Sequence, residues 1–433
     1  MSGDRVKLVE RGDAGFEEAC FGPIFNGRKP EDRVPAAVLF AASDDDVVTG
    51  VRLARERGWP VSVRAGGHSW AGWSVRDDAL LIDLGAMREM TCDGELATAR
   101  PAVKGGLELA PFLASHGRMF TGGHCEAVGL GGFLLQGGQG WNSRRWGWGC
   151  ENVVAIDVVT ADGQLVRGDE ELLWAARGAG PGFPGIVTRF HLRTYPLTPM
   201  FHDTYVFRLD DLEALLEFLH DVLPRLDLAV EPVVAATRLR TGEVELLLHT
   251  TLTAETPDEA DRLLAPLDAV PVEPVDHVRG PTSLDEENAA QALQNPEGHR
   301  YCADSQWTNA SAAELAPLLR DLWSELPTRH SFSIWYGWAP SRPLPDMAFS
   351  LEANVYLATY GIWTDPAEDE RHRAWVHGQH ARLAEQVGEG LYVGDSDFSR
   401  RPDRFMAQDN FRRLQEIRAA RDPDGVFVPY LGL

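Results

Sequence analysis

Positive charge is scarce in this 433-residue chain: 41 Lys and Arg face 65 Asp and Glu, a net charge of −24. Nucleic acid and anionic membranes would repel such a surface, so neither is expected as a partner. Long apolar runs are missing as well, and no stretch reaches the ~18 residues of a membrane span. The opening Met1-Ser2-Gly3-Asp4-Arg5 lacks the basic and then apolar layout of a secretory leader. Cysteine is sparse: five residues, an odd number without paired spacing, which excludes a disulfide framework. These absences predict a reduced, soluble cytoplasmic protein. Internal repeats and low-complexity segments are absent. No metal is expected, because His372, His377 and His380 fall on a predicted helix without a His-Glu-x-x-His motif or cysteine pairs. They read as a solvated helix face. Nothing in the sequence speaks to oligomeric state.

Glycine and tryptophan, by contrast, are well supplied, with 42 and 13 residues. The tryptophans fit an aromatic-lined cavity or ordinary core packing. The glycines gather in two loops. The first is Val63-Arg64-Ala65-Gly66-Gly67-His68-Ser69-Trp70. The second runs Thr121-Gly122-Gly123-His124-Cys125-Glu126-Ala127-Val128-Gly129-Leu130-Gly131-Gly132, and on to Gln136-Gly137-Gly138-Gln139-Gly140-Trp141. Without a Cβ, such loops take positive φ and bring successive N–H groups against a ligand, a concavity suited to pyrophosphate. Each loop also holds one nucleophilic side chain, His68 or Cys125.

Together the loops closely resemble the flavin-binding loops of the berberine bridge enzyme-like and hexose oxidase-like FAD-linked oxidases, in the vanillyl alcohol oxidase (PCMH-type) superfamily. The resemblance is strong over about 35–195 and 390–430 and loose between. It implies FAD joined through its 8α carbon to His68 and through ring carbon C6 to the Cys125 sulfur. Val63, Arg64, Ala65, Gly66, Gly67, Ser69, Gly122, Gly123, Val128, Gly129, Gly131, Gly132 and Gly138 would line the cofactor. Arg64 would neutralise phosphate and Ser69 would hydrogen-bond it. Asn152, Gly185 and Val187 match further flavin-contacting positions. Val128 stands where relatives control oxygen access, and a valine there accompanies oxidases. Two tethers imply an electron-poor, rigidly held ring with a high potential, while the protein orients the chemistry.

A base is needed beside the flavin to take the substrate's proton. Relatives carry Tyr-x-Asn-Tyr-x-Asp near the C-terminus; this chain has Tyr392-Val393-Gly394-Asp395-Ser396-Asp397. Tyr392 matches, and Asp395 replaces the second tyrosine. Glu352, on a predicted strand, is a third candidate. Trp146, Trp335 and Trp338 are expected in the substrate pocket. A rival reading takes Gly67-His68-Ser69-Trp70-Ala71-Gly72 as the elbow of a serine hydrolase with Ser69 as nucleophile, which requires a helix after the serine. The favoured activity is an oxidase acting on an alcohol, sugar or secondary metabolite, with O2 reduced to H2O2. A dehydrogenase with another acceptor and a flavin carrier with a degenerate base site remain as alternatives.

The expected fold class is α+β: an FAD domain over 1–197, a substrate domain over 198–389, and a segment 390–433 returning to the FAD domain. Ser43-Asp44-Asp45-Asp46 opens a helix with a cap and first-turn acids, and Gly58 stops it. Strands are expected at 61–63, 79–84, 96–103, 152–160 and 186–195, and helices at 106–116 and 169–177. Beyond Tyr195-Pro196-Leu197-Thr198-Pro199, helices at 210–222, 256–267, 311–326 and 368–387 alternate with strands at 243–252, 331–338 and 351–358. That pattern predicts an antiparallel sheet covered on one face by helices.

Overall fold

The computed structural model describes residues 6–30, 32–340 and 342–431; the opening pentapeptide read above lies outside them. A small sheet comes first, in the order Lys7–Glu10, Ala37–Phe40, Leu80–Asp83 and Val61–Arg64, the last three parallel. The helix Asp44–Arg57 covers it. The Ser43 hydroxyl accepts from the Asp46 N–H while the Asp46 side chain accepts from the Ser43 N–H, a reciprocal cap worth about 1 kcal/mol. Gly58 ends the helix at φ +67°, as its position predicts. The C-terminal segment closes against this sheet: Val61 N–H donates to the Val426 carbonyl at 2.7 Å, and Val428 N–H to the Val61 carbonyl at 3.1 Å.

A five-stranded antiparallel sheet follows, in the order Met90–Asp93, Leu96–Ala99, Ile186–Arg193, Val153–Val159 and Leu165–Arg167. The helix expected near 106–116 begins as a wide π-type turn at Gly105–Leu109 and turns α-helical only over Ala110–Ala114. Two glycines and a proline in that stretch weaken regular helix.

The largest sheet has seven antiparallel strands, in the order Asp276–Thr282, Met200–Arg208, Val244–Thr253, Val230–Arg238, Phe332–Gly337, Val355–Trp363 and Arg300–Thr308. The helices Leu212–Val222, Ala312–Ser324 and Asp369–Val387 bury Leu215, Leu216, Leu319, Leu322 and Leu383 against one face. The opposite face looks onto the glycine loops. Alternation along each strand therefore divides its residues between helix core and ligand side.

His372, His377 and His380 are not solvated. His372 is stacked on Trp363, His377 lies between Asp304 (2.8 Å) and Cys302 (3.3 Å), and His380 bonds Thr359 at 2.9 Å. The helix packs this face onto the two last strands of the sheet, which removes the water the sequence reading assumed. Among the described residues, no helix is long and apolar enough to cross a membrane.

Candidate active site

Between the glycine loops and the open face of the large sheet lies a cavity of about 740 Å³, within the range of small-molecule and cofactor sites. The loops meet backbone to backbone. A Cβ on Gly66 would stand 2.7 Å from the Gly129 nitrogen, and one on Gly67, at φ +73°, 2.0 Å from the Pro23 carbonyl oxygen. Only glycine fits at either place. Among the described residues, no N–H of residues 65–69 donates to a protein acceptor, although the loop lines the cavity. A run of unspent backbone donors facing a cavity suits a phosphate group.

Arg64 does not serve that purpose. Its guanidinium is buried and spent on Asp83 Oδ2 at 2.6 Å and on the Cys20 and Ala19 carbonyls at 2.6 and 2.7 Å. It pins the end of its strand so that the loop leaves at a set angle.

His68 and Cys125 line the same cavity. The His68 ring stacks on Phe25, with centroids 4.6 Å apart and planes at 17°. Desolvation, helped by the nearby Lys104 charge, lowers its pKa to about 4, so the imidazole is neutral with a free lone pair. Desolvation raises the Cys125 thiol to about 12, and the Asp395 and Glu126 charges add to this.

Asp395 also lines the cavity. Its Oδ2 accepts from the hydroxyls of Tyr356 (2.7 Å) and Tyr360 (3.0 Å), and its Oδ1 from Trp70 Nε1 (2.9 Å). Loss of water raises its pKa above the usual carboxylate range, and the three donors partly offset this. Tyr392 faces the cavity with its hydroxyl accepting from the Gly138 N–H at 3.1 Å. Burial holds that phenol well above its ordinary pKa, so Tyr392 is a poor base.

Val63, Arg64, Ala65, Gly66, Gly67, Ser69, Gly123, Val128, Gly129, Gly131, Gly132, Gly185 and Val187 stand along the cavity wall. Several other expected residues do not. Glu352 turns away and accepts from Trp148 Nε1 at 2.6 Å. Trp338 stacks on that same indole at 4.9 Å, inside an aromatic cluster behind the wall. Trp335 belongs to the helix-covered core, because its neighbours Ile334 and Tyr336 take the cavity face. Trp146 stacks on Tyr195 at 4.3 Å. Asn152 is spent on the Trp146 and Trp148 carbonyls and the Tyr195 hydroxyl. Gly138 stands one layer back, behind Tyr392, and Gly122 lines a second cavity of about 530 Å³.

Glu231 escaped the sequence reading. It projects into the cavity from Val230–Arg238, and its carboxylate accepts the N–H groups of Asn142 (2.6 Å) and Arg144 (2.9 Å). Burial raises its pKa to about 7. The Tyr336 hydroxyl lies beside it, close enough to affect its charge but not in hydrogen-bonding geometry. An acid inside an otherwise apolar strand was the available signal.

Ser69 is no hydrolase nucleophile. Its hydroxyl accepts the Trp73 N–H at 3.2 Å, no imidazole among the described residues bonds it, and the chain proceeds by turns to a strand.

Comparison with known proteins agrees with this geometry. A family model described as an FAD binding domain matches residues 35–169. The FAD-linked oxidoreductase ptmO of Penicillium ochrochloron is 34% identical over 431 residues, spanning 95% of this chain and 93% of that protein. Among solved structures, 6-hydroxy-D-nicotine oxidase from Arthrobacter nicotinovorans superposes with a TM-score of 0.86 at 22% identity, covering 98% of this chain and 97% of that one. Berberine bridge enzyme from Eschscholzia californica gives 0.82 at 20%, covering 99% and 97%. With its loops, its cavity and this full-length similarity, the chain belongs to the FAD-linked oxidoreductases, and it shares the fold of berberine bridge enzyme and 6-hydroxy-D-nicotine oxidase.

Proposed function

We propose that the protein is an oxidase that removes hydride from a CH–OH or CH–NH carbon of a small alcohol, sugar or secondary metabolite. FAD would be held covalently by both His68 and Cys125, with O2 as the acceptor and H2O2 as its product. The observation that carries this reading is the placement of His68, Cys125 and Asp395 on the walls of one cavity. FAD supplies the two-electron acceptor when bound. The chain's own residues handle position and protons. The neutral His68 imidazole offers its lone pair for attachment. Asp395 takes the substrate proton, either directly or through the Tyr360 hydroxyl that donates to it. The unspent N–H groups of 65–69 hold phosphate.

Val128, on the same wall, supports oxygen as the acceptor over a separate electron carrier. Mass spectrometry of the intact and proteolysed chain tests the tethers: flavin mass is expected on both the His68 and the Cys125 peptides. Unmodified peptides after expression in flavin-replete cells would overturn the double attachment. Peroxide release across a panel of alcohols, sugars and amines tests the acceptor. Flavin reduction without aerobic reoxidation would instead establish a dehydrogenase.

A further inference from the structure

The ligand side of the large sheet carries a second cluster that the flavin chemistry leaves unused. In the antiparallel register His202 faces Thr251 and Thr204 faces His249. His202 and His249 are therefore diagonal neighbours on one face of the sheet. Glu287, from the helix Leu284–Gln294, reaches both: Oε1 is 3.2 Å from His202 Nδ1 and Oε2 is 2.9 Å from His249 Nε2. The three ligand-capable atoms lie within 4.8 Å of one another. His249 and Glu287 also line the flavin cavity.

We propose that His202, His249 and Glu287 form a binding site for a divalent transition-metal ion of the zinc class, with one coordination position open towards the cavity.

Two imidazoles and one carboxylate are the donor set of three-ligand metal centres, which keep a position free for water or substrate. Metal–ligand bonds of 2.0–2.1 Å around a tetrahedral ion put neighbouring ligand atoms about 3.3 Å apart. The two contacts to Glu287, one through each carboxylate oxygen, already stand near that spacing, and with all three ligand atoms within 4.8 Å of one another a small side-chain adjustment brings them onto one ion. Supporting contacts are in place. Thr204 Oγ1 lies 2.8 Å from His249 Nδ1, and the Thr282 hydroxyl donates to Glu287 Oε1 at 2.8 Å. Such outer contacts set the tautomer and aim of a ligating imidazole and carboxylate. The three ligands come from two strands and a helix far apart in sequence, so no short motif announces them. This is why the sequence carried an expectation of no metal.

Zinc titration of the EDTA-dialysed holoprotein tests the proposal by calorimetry and by metal content after gel filtration. The wild type is expected to take up one equivalent and to melt at a higher temperature with zinc than without. His202→Ala and Glu287→Gln should each weaken binding roughly tenfold or more, and the double variant H202A/H249A should abolish the zinc-dependent rise. His116→Ala, at an exposed imidazole, should bind as the wild type does. Magnesium should produce no shift, because that ion prefers all-oxygen sites. Melting in EDTA shows that each variant folds. Uptake below one equivalent, or uptake unchanged in folded H202A/H249A, would overturn the proposal and leave the cluster as a hydrogen-bonded His–Glu–His chain.

Discussion

The Tyr360 hydroxyl donates to Asp395 Oδ2 across 3.0 Å on the wall of the large cavity. A carboxylate that has lost water but keeps three donors holds a raised affinity for a proton. That combination is what a base for hydride-transfer chemistry requires.

Asp395→Asn keeps the shape and removes the proton acceptor. The rate of flavin bleaching by substrate under anaerobic conditions should fall by roughly 10²–10⁴-fold, with flavin content unchanged. In the wild type this rate should drop as pH falls through the raised Asp395 pKa, above the ordinary carboxylate value of about 3.9. The acid limb should vanish in D395N. A variant retaining wild-type bleaching would remove Asp395 from the mechanism.

Arg64→Met leaves the Asp83 carboxylate buried without its partner, together with two carbonyls that lose their donors. Breaking one side of a buried pair costs about 3–5 kcal/mol. Urea denaturation should register that loss, and flavin loading should fall with it because the strand end under the first loop loses its anchor.

Gly66→Ala places a methyl group 2.7 Å from the Gly129 nitrogen. Both neighbours are backbone, so the two loops must separate. A destabilisation of about 1–3 kcal/mol is expected, accompanied by reduced flavin content in absorption spectra. Gly58→Ala makes a useful contrast, since its added methyl meets nothing within 4 Å and only the φ of +67° is strained. It should cost stability yet leave flavin content intact.

Glu231 predicts a pH dependence of the opposite sign to the usual surface acid. Its folded pKa of about 7 lies above the unfolded value of about 4.3, so the native state binds more protons between those limits. Stability is therefore lost as pH rises from about 4 to 7, on the order of 3 kcal/mol from this group. Glu231→Gln should flatten that part of the profile in thermal melts of the flavin-free protein. An unchanged slope would place the effect elsewhere.

The resemblance read from the loops and the geometry of the cavity agree because that half of the site is written locally. Ser43 and Gly58 are set by helix ends, and Gly66, Gly67 and Gly129 stand in motifs about a dozen residues long, although the backbone contacts that require these three join distant segments. The substrate side is not. Four of the seven strands in the large sheet, Met200–Arg208, Val230–Arg238, Asp276–Thr282 and Arg300–Thr308, were not anticipated. Two of these, Asp276–Thr282 and Arg300–Thr308, are edge strands with mixed polar composition.

The sequence by itself marked out the two glycine-rich loops that hold His68 and Cys125, and their resemblance to known flavin-binding loops implied the cofactor, since a bare glycine backbone and a short motif are properties of contiguous residues. Tertiary structure alone decided which side chains face the cavity. In Phe332–Gly337 large apolar side chains fall on both faces, so alternation cannot say that Trp335 enters the helix core while Tyr336 enters the cavity. The meeting of Asp395 with Tyr356 and Tyr360, and of Glu287 with His202 and His249, likewise depends on strand register and helix packing. Those are settled only when distant segments bury their apolar faces together.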